Sequence, residues 1–148
     1  MARRGYDEGC LAAHALDLIG DRWALLVLRE LMLGPKRFGL IKAGLPGIAS
    51  NVLTTRLEGL MDARLLDRCD LPDGAPGYRL TKSGLATKPI LRALCLFGLT
   101  QPGHDPRKFI SPTSLMLSMS FLARPCDGPP IEVGFLLDGE HFATRLDA

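Results

Sequence analysis

The chain has no run of about 18 consecutive apolar residues, so no transmembrane span is expected. Its opening, Met1-Ala-Arg-Arg-Gly-Tyr-Asp-Glu8, lacks the apolar segment of a secretory signal, and a cytoplasmic location is the expectation. The four cysteines, Cys10, Cys69, Cys95 and Cys126, form no C-x-x-C pair, and the three histidines do not cluster near them. A structural zinc site is therefore not expected. There is no G-x-S-x-G, no H-E-x-x-H and no phosphate-binding glycine loop. His14, His104 and His141 have no apparent nucleophile beside them. These absences leave no residues to support an enzyme, and no cofactor is expected. Internal repeats and low-complexity runs are absent too.

Acidic residues are missing from one place in particular. Between Glu30 and Glu58 there is none, while Lys36, Arg37, Lys42 and Arg56 all lie there. The net charge of +2 hides this asymmetry. Residues 1–100 hold 14 Lys/Arg against 10 Asp/Glu, and residues 101–148 hold 4 against 6. A positive patch without acidic neighbours favours a polyanion, although such a patch can equally be a solvated face.

What is present reads as a globular chain. Its 148 residues, 47% apolar and 23% charged, suffice for one domain with a core plus an appendage. Cys10 to Ile19 is expected as a short helix, broken at Gly20-Asp21, with Asp21 able to cap the next helix. That helix, Arg22 to Leu33, is apolar nearly all round and should be central, with Trp23 in the core. Gly34-Pro35 ends it. Arg37 to Ala43 fits two helical turns, Gly44-Leu-Pro-Gly47 a tight turn, and Ser50 to Ala63 a further helix. Leu65 to Leu71 and Tyr78 to Leu80 read as strands around the turn cluster Pro72 to Gly77. A helix from Thr81 or Ser83 runs to about Leu99, with Pro89 disturbing its first half. Gln101 to Pro112 is a linker. Thr113 to Ala123 is a Leu- and Met-rich helix. Ile131 to Leu137 and Phe142 to Leu146 form a hairpin about Asp138-Gly139. The expected units are a winged helix-turn-helix over 8–100, a linker over 101–112 and a small helix-hairpin appendage over 113–148.

Helix, Gly/Pro turn, helix and hairpin in that order are the grammar of a winged helix-turn-helix, an α+β fold that binds duplex DNA. The helix from Ser50 carries an apolar ladder at Leu53, Leu57 and Leu60. Away from the ladder it shows Asn51, Thr54 and Thr55, short hydrogen-bonding side chains suited to close approach to base edges. Asn51 either presents its amide to adenine or caps the helix start. Thr54 and Thr55 either touch bases or bond their own helix carbonyls. Ser50 is most simply the N-cap. Arg56, beside the ladder, suits a phosphate clamp or an intramolecular ion pair. Lys36 and Arg37 are natural phosphate contacts, and Arg79 on the wing reaches a phosphate or the minor groove. Cys10 is either an inert thiol or, at a helix start near Arg3 and Arg4, a reactive one. Cys69, Cys95 and Cys126 read as packing residues.

Taken together, Cys10, Ala15-Leu-Asp-Leu-Ile-Gly-Asp-Arg-Trp23, Leu28-Arg-Glu-Leu31, Lys36-Arg-Phe38, Leu53-Thr-Thr-Arg-Leu57 and Tyr78-Arg-Leu-Thr81 resemble the HxlR family of bacterial winged-helix transcriptional regulators, relatives of the MarR group. The resemblance covers about residues 8–100. It implies a homodimer, formed through the first helix and the helix after the wing, that reads a pseudo-palindromic operator, with repression the expected mode. It also implies that Cys10 matches a cysteine some members use to sense oxidants or electrophiles. Leu11 departs from the family, where a proline commonly follows that cysteine. The tail, from Ser111-Pro-Thr-Ser-Leu-Met-Leu to the Asp138-Gly hairpin, looks like the truncated opening of a sterol-carrier-like domain. Two alternatives to the DNA-binding reading stand beside it. One is a ligand- or lipid-binding module, with a cavity bounded by Leu115, Met116, Phe121, Phe135 and Phe142. The other is a thiol-based redox or electrophile sensor using Cys10.

Overall fold

Leu53, Leu57 and Leu60 lie on one stripe of a helix and are all buried, and the fold is organised around what they touch. The computed structural model describes residues 5–124 and 129–146. Its elements are α1 (Leu11–Ile19), α2 (Ala24–Glu30), α3 (Phe38–Ala43), α4 (Ser50–Asp62), β1 (Leu66–Asp70), β2 (Pro76–Leu80), α5 (Lys82–Leu85), α6 (Lys88–Thr100), α7 (Pro112–Leu122), β3 (Ile131–Leu137) and β4 (Glu140–Leu146). The α+β winged helix-turn-helix architecture expected from the sequence is the one found.

The α4 stripe packs on Val27, Leu28 and Leu31 from α2 and the turn after it, on Ile41 of α3, and on Leu45 and Ile48 of the turn between α3 and α4. Leu65 and Leu66 close this cluster from below the wing. Burying a Leu or Ile side chain stabilises by about 1.5–3 kcal/mol, so this cluster dominates the stability of the domain. The wing is an antiparallel pair in which Leu66 faces Leu80, Arg68 faces Tyr78 and Asp70 faces Pro76. A bridge between Lys36 and Tyr78 adds the segment before α3 to its edge, with backbone bonds of 3.0 and 2.9 Å.

Several local expectations are corrected. Asp21 does not cap α2. The chain enters that helix through Trp23, whose backbone is left-handed at φ 78°, and α2 stops at Glu30. The strained backbone is held because the Trp23 ring packs against the core while the Arg22 guanidinium sits 5.4 Å from its centroid. Ser50 is not a cap either. Ala49 occupies that position, and the Ser50 hydroxyl instead accepts a 2.6 Å bond from Lys42 Nζ. The helix after the wing is two helices. Thr81 caps α5 by accepting the Gly84 N–H, the chain turns at Ala86-Thr87, and α6 begins with Pro89 in its first turn, where a missing N–H costs nothing. Cys95 is exposed on α6 and Cys69 is half-buried, so Cys95 is not a packing residue. Cys126, Arg3 and Arg4 lie outside the described residues.

The segment after 110 is joined to the domain rather than strung beside it. Ser111 caps α7, and α7 inserts Leu117 and Phe121 into a second cluster with Met32 and Leu91. Met116 is buried as well. This filling counts against the lipid-cavity alternative, which needs open space around Met116 and Phe121. β3 and β4 pair in register, with Phe135 opposite Phe142 and Leu137 opposite Glu140.

Candidate nucleic-acid interface

The face of α4 opposite its buried stripe is solvent-exposed at Ser50, Asn51, Thr54 and Thr55. Position in the helix explains this: with Leu53, Leu57 and Leu60 inward, Asn51 and Thr55, each two residues from Leu53, point away, Thr54 lies on the flank and Ser50 is open at the helix start. The Thr54 hydroxyl donates to the Ser50 carbonyl at 3.0 Å, the back-bonded arrangement, and leaves its methyl outward. Asn51 and Thr55 make no side-chain hydrogen bond among the described residues. Their polar atoms are therefore open to a ligand.

The basic residues divide into two groups. Arg37 and Arg79 are exposed at the rim, Arg37 at the start of α3 and Arg79 on β2. Arg37 Nη2 donates to Asp73 Oδ2 at 2.6 Å, which ties α3 to the wing tip. The Asp73 carboxyl is held below the usual carboxylate range, first by the Ala75 N–H and then by Arg37. Lys42 also lies on this surface, through its bond to Ser50, and was missing from the expected contact set. The acid-free interval that contains it was the available signal.

The second group faces inward. Arg56 is bonded to the Asp21 carboxylate, the intramolecular ion pair that was one of its two expected roles. Lys36 is a plain correction. Its side chain is only 7% exposed, and it is turned away from the rim into contact with Glu30, Glu140 and Thr113. The reason is the bridge to Tyr78: pairing with the wing edge fixes the Lys36 backbone so that its side chain points under the sheet, while Arg37 points out.

A family model described as HxlR-like helix-turn-helix matches residues 18–105, which spans α2 to α6 and the whole surface just described. The chain belongs to this family. It is a DNA-binding transcriptional regulator of the winged helix-turn-helix type, and the proteins it matches are regulators rather than enzymes. It is 34% identical over 141 residues to the HTH-type transcriptional regulator Rv3095 of Mycobacterium tuberculosis, covering 94% of this chain and 75% of that one. Among solved structures, the transcription factor PA1607 superposes with a TM-score of 0.61 at 31% identity, covering 70% of this chain and 73% of that chain. The reduced form of the regulator YodB from Bacillus subtilis gives 0.55 at 30% identity, over 66% of this chain and 100% of that one. YodB has also been solved with quinone bound. The family match ends at residue 105, so α7 and the β3–β4 hairpin lie beyond it. The sterol-carrier likeness of that tail gains no support from these proteins. No helix among the described residues is long and apolar enough to cross a membrane.

Cys10 is exposed and stands at the N-cap of α1. The backbone N–H groups of Ala13 and Ala12 hold its thiol pKa below the ordinary value.

Proposed function

We propose that this HxlR-type regulator binds a pseudo-palindromic operator as a homodimer and represses transcription from it. In this reading α4 enters the major groove, Asn51, Thr54 and Thr55 face base edges, Arg37 and Arg79 hold phosphates, and the Asp70 to Arg79 wing lies along the flanking backbone. Ser50, with Lys42 against it, sits at the phosphate edge of the groove. Arg56 acts from behind, orienting α4 through Asp21. The observation that carries the reading is the exposed face of α4: short polar side chains, two of them unbonded, with no acidic residue from the end of α2 to Glu58.

The dimer is supported by apolar surface. Leu11 is 86% exposed on α1, and α6 exposes Ile90, Leu94, Phe97 and Leu99, with Phe97 at 64%. Exposed large apolar side chains grouped on a helix in this way favour an interface. Selecting bound sequences from a random duplex pool tests the whole proposal: a two-fold symmetric consensus supports it, and an unenriched pool defeats it. Phe97→Asp should yield a monomer by light scattering and lose affinity for the selected sequence.

A second reading, compatible with the first, makes Cys10 a redox or electrophile sensor. Its lowered pKa and open position favour it, as does the quinone-bound structure of YodB. Alkylation of Cys10 should then change affinity for the selected operator; unchanged affinity removes this reading.

A further inference from the structure

A buried polar network runs beneath the helix-turn-helix and ends in the C-terminal hairpin. Its centre is Glu30, fully buried at the end of α2. Glu30 Oε1 accepts from Arg29 Nη2 at 2.7 Å and from Ser111 Oγ at 2.6 Å. Oε2 has no hydrogen bond and lies 3.6 Å from Lys36 Nζ. Lys36 Nζ donates to Thr113 Oγ1 at 2.7 Å and pairs with Glu140 Oε2 at 2.5 Å. Two cations and two carboxylates therefore balance in a site from which water is nearly excluded, where each charge depends on the others.

The network reaches two parts of the DNA-binding unit, the turn before α4 and the wing edge. The Cα of Gly44, in the turn that leads to α4, rests so closely on Glu30 that an added Cβ would overlap its carboxylate. The Gly44 carbonyl accepts from Arg29 Nη2 at 3.4 Å. The Lys36 backbone is bridged to Tyr78 of the wing. Three of the anchoring groups, Ser111, Thr113 and Glu140, come from residues beyond the part of the chain that matches the family.

The hairpin that supplies Glu140 lies outside the two apolar cores. Val133, Phe135, Leu137, Glu140, Phe142 and Thr144 form its inner face, and each is largely but not fully covered. None belongs to either core cluster. The Glu140–Lys36 pair ties it to the domain. An element outside both core clusters that is tied to the domain by an ion pair can dock and release.

We propose that the β3–β4 hairpin is an intramolecular regulatory arm. When docked through Glu140 it holds Lys36, and through Lys36 and Glu30 it holds the α3–α4 turn and the wing in the DNA-binding arrangement. When released it loosens them and weakens binding. Whatever engages the hairpin then controls DNA affinity from outside the DNA surface.

The test uses the full chain with Glu140→Gln, which removes the charge and keeps the shape. Glu132→Gln is the control, because Glu132 is exposed on the same hairpin and pairs only loosely with Arg145, at 3.8 Å. Amide hydrogen exchange should rise in E140Q across residues 36–49 and 71–78, not only in the hairpin, and stay at the parent level there in E132Q. This readout does not depend on the DNA-binding reading. Binding to a random-sequence duplex at low salt should weaken about fivefold in E140Q alone, the low end of ordinary coupling between sites. Exchange that rises only within 131–146, or that matches E132Q, overturns the proposal. If E140Q does not fold, Glu140→Asp replaces it, and parent-level exchange at 36–49 in that variant overturns the proposal equally. Raised exchange without any duplex binding by the parent chain would instead refute the DNA-binding reading and leave the arm intact.

Discussion

Arg56 on α4 is bonded to Asp21 in the turn between α1 and α2, so the one arginine of the recognition helix is tied to the body of the protein rather than offered to DNA. Asp21 is about half exposed, whereas the Arg56 side chain is largely covered. The pair braces α4 against the turn before α2, in the orientation that its buried leucine stripe sets. Asp21→Asn should release the guanidinium. Because the pair helps to orient α4, the expected result is weaker binding to the selected operator, measured by titration against the parent chain. Parent-level affinity would show that α4 is oriented without the pair.

Asn51 and Arg79 should behave differently when removed. Asn51→Ala is expected to relax preference at one base position by about 1–3 kcal/mol while leaving random-sequence binding intact. Arg79→Ala should weaken all sequences alike and shallow the salt slope by about one. Competition between selected and scrambled duplexes separates the two effects. If both variants lose affinity without loss of preference, the α4 face is not the reading surface.

Gly44 is required for space rather than for backbone freedom. Its φ of −74° suits any residue, but a Cβ there would overlap the Glu30 carboxylate. Glu30 cannot yield easily, since Arg29 and Ser111 hold it. Gly44→Ala should therefore destabilise by about 1–3 kcal/mol, the usual cost of overpacking. Gly39→Ala, where a Cβ meets nothing within 4 Å, should not. Urea denaturation of both variants checks this.

Cys10 gives a pH-dependent prediction. The Ala13 and Ala12 N–H groups favour its thiolate, so the folded pKa lies below that of the unfolded chain. The thiolate fraction falls as pH drops through this lowered value, and the folded chain keeps it at pH values where the unfolded chain has already lost it. The alkylation rate of Cys10 should consequently reach half its plateau at a lower pH in the folded protein than in urea. Coincident profiles would show that the helix start does not activate the thiol.

Much of this was legible in the sequence because it is local. The period of Leu53, Leu57 and Leu60 fixes which face of α4 is buried, and a turn cluster between two short β-prone runs fixes the wing. Lys36 and Arg37 show where local reading stops. They are neighbours of the same charge in the same acid-free interval, and nothing in the sequence separates them. One pairs with Asp73 at the rim and the other is buried on Glu30 and Glu140, because the wing edge captures the backbone between them.

The sequence by itself determined the order of elements, the polar face of α4 and the family, since these rest on periodicity, turn chemistry and motif spacing within short stretches. Only the tertiary structure decided which charges are free. A buried ion must find its partners wherever the fold brings them, and Glu30 meets Ser111 and Lys36 meets Glu140 across most of the length of the chain. That long-range pairing, invisible to any local pattern, joins the C-terminal hairpin to the DNA-binding turn.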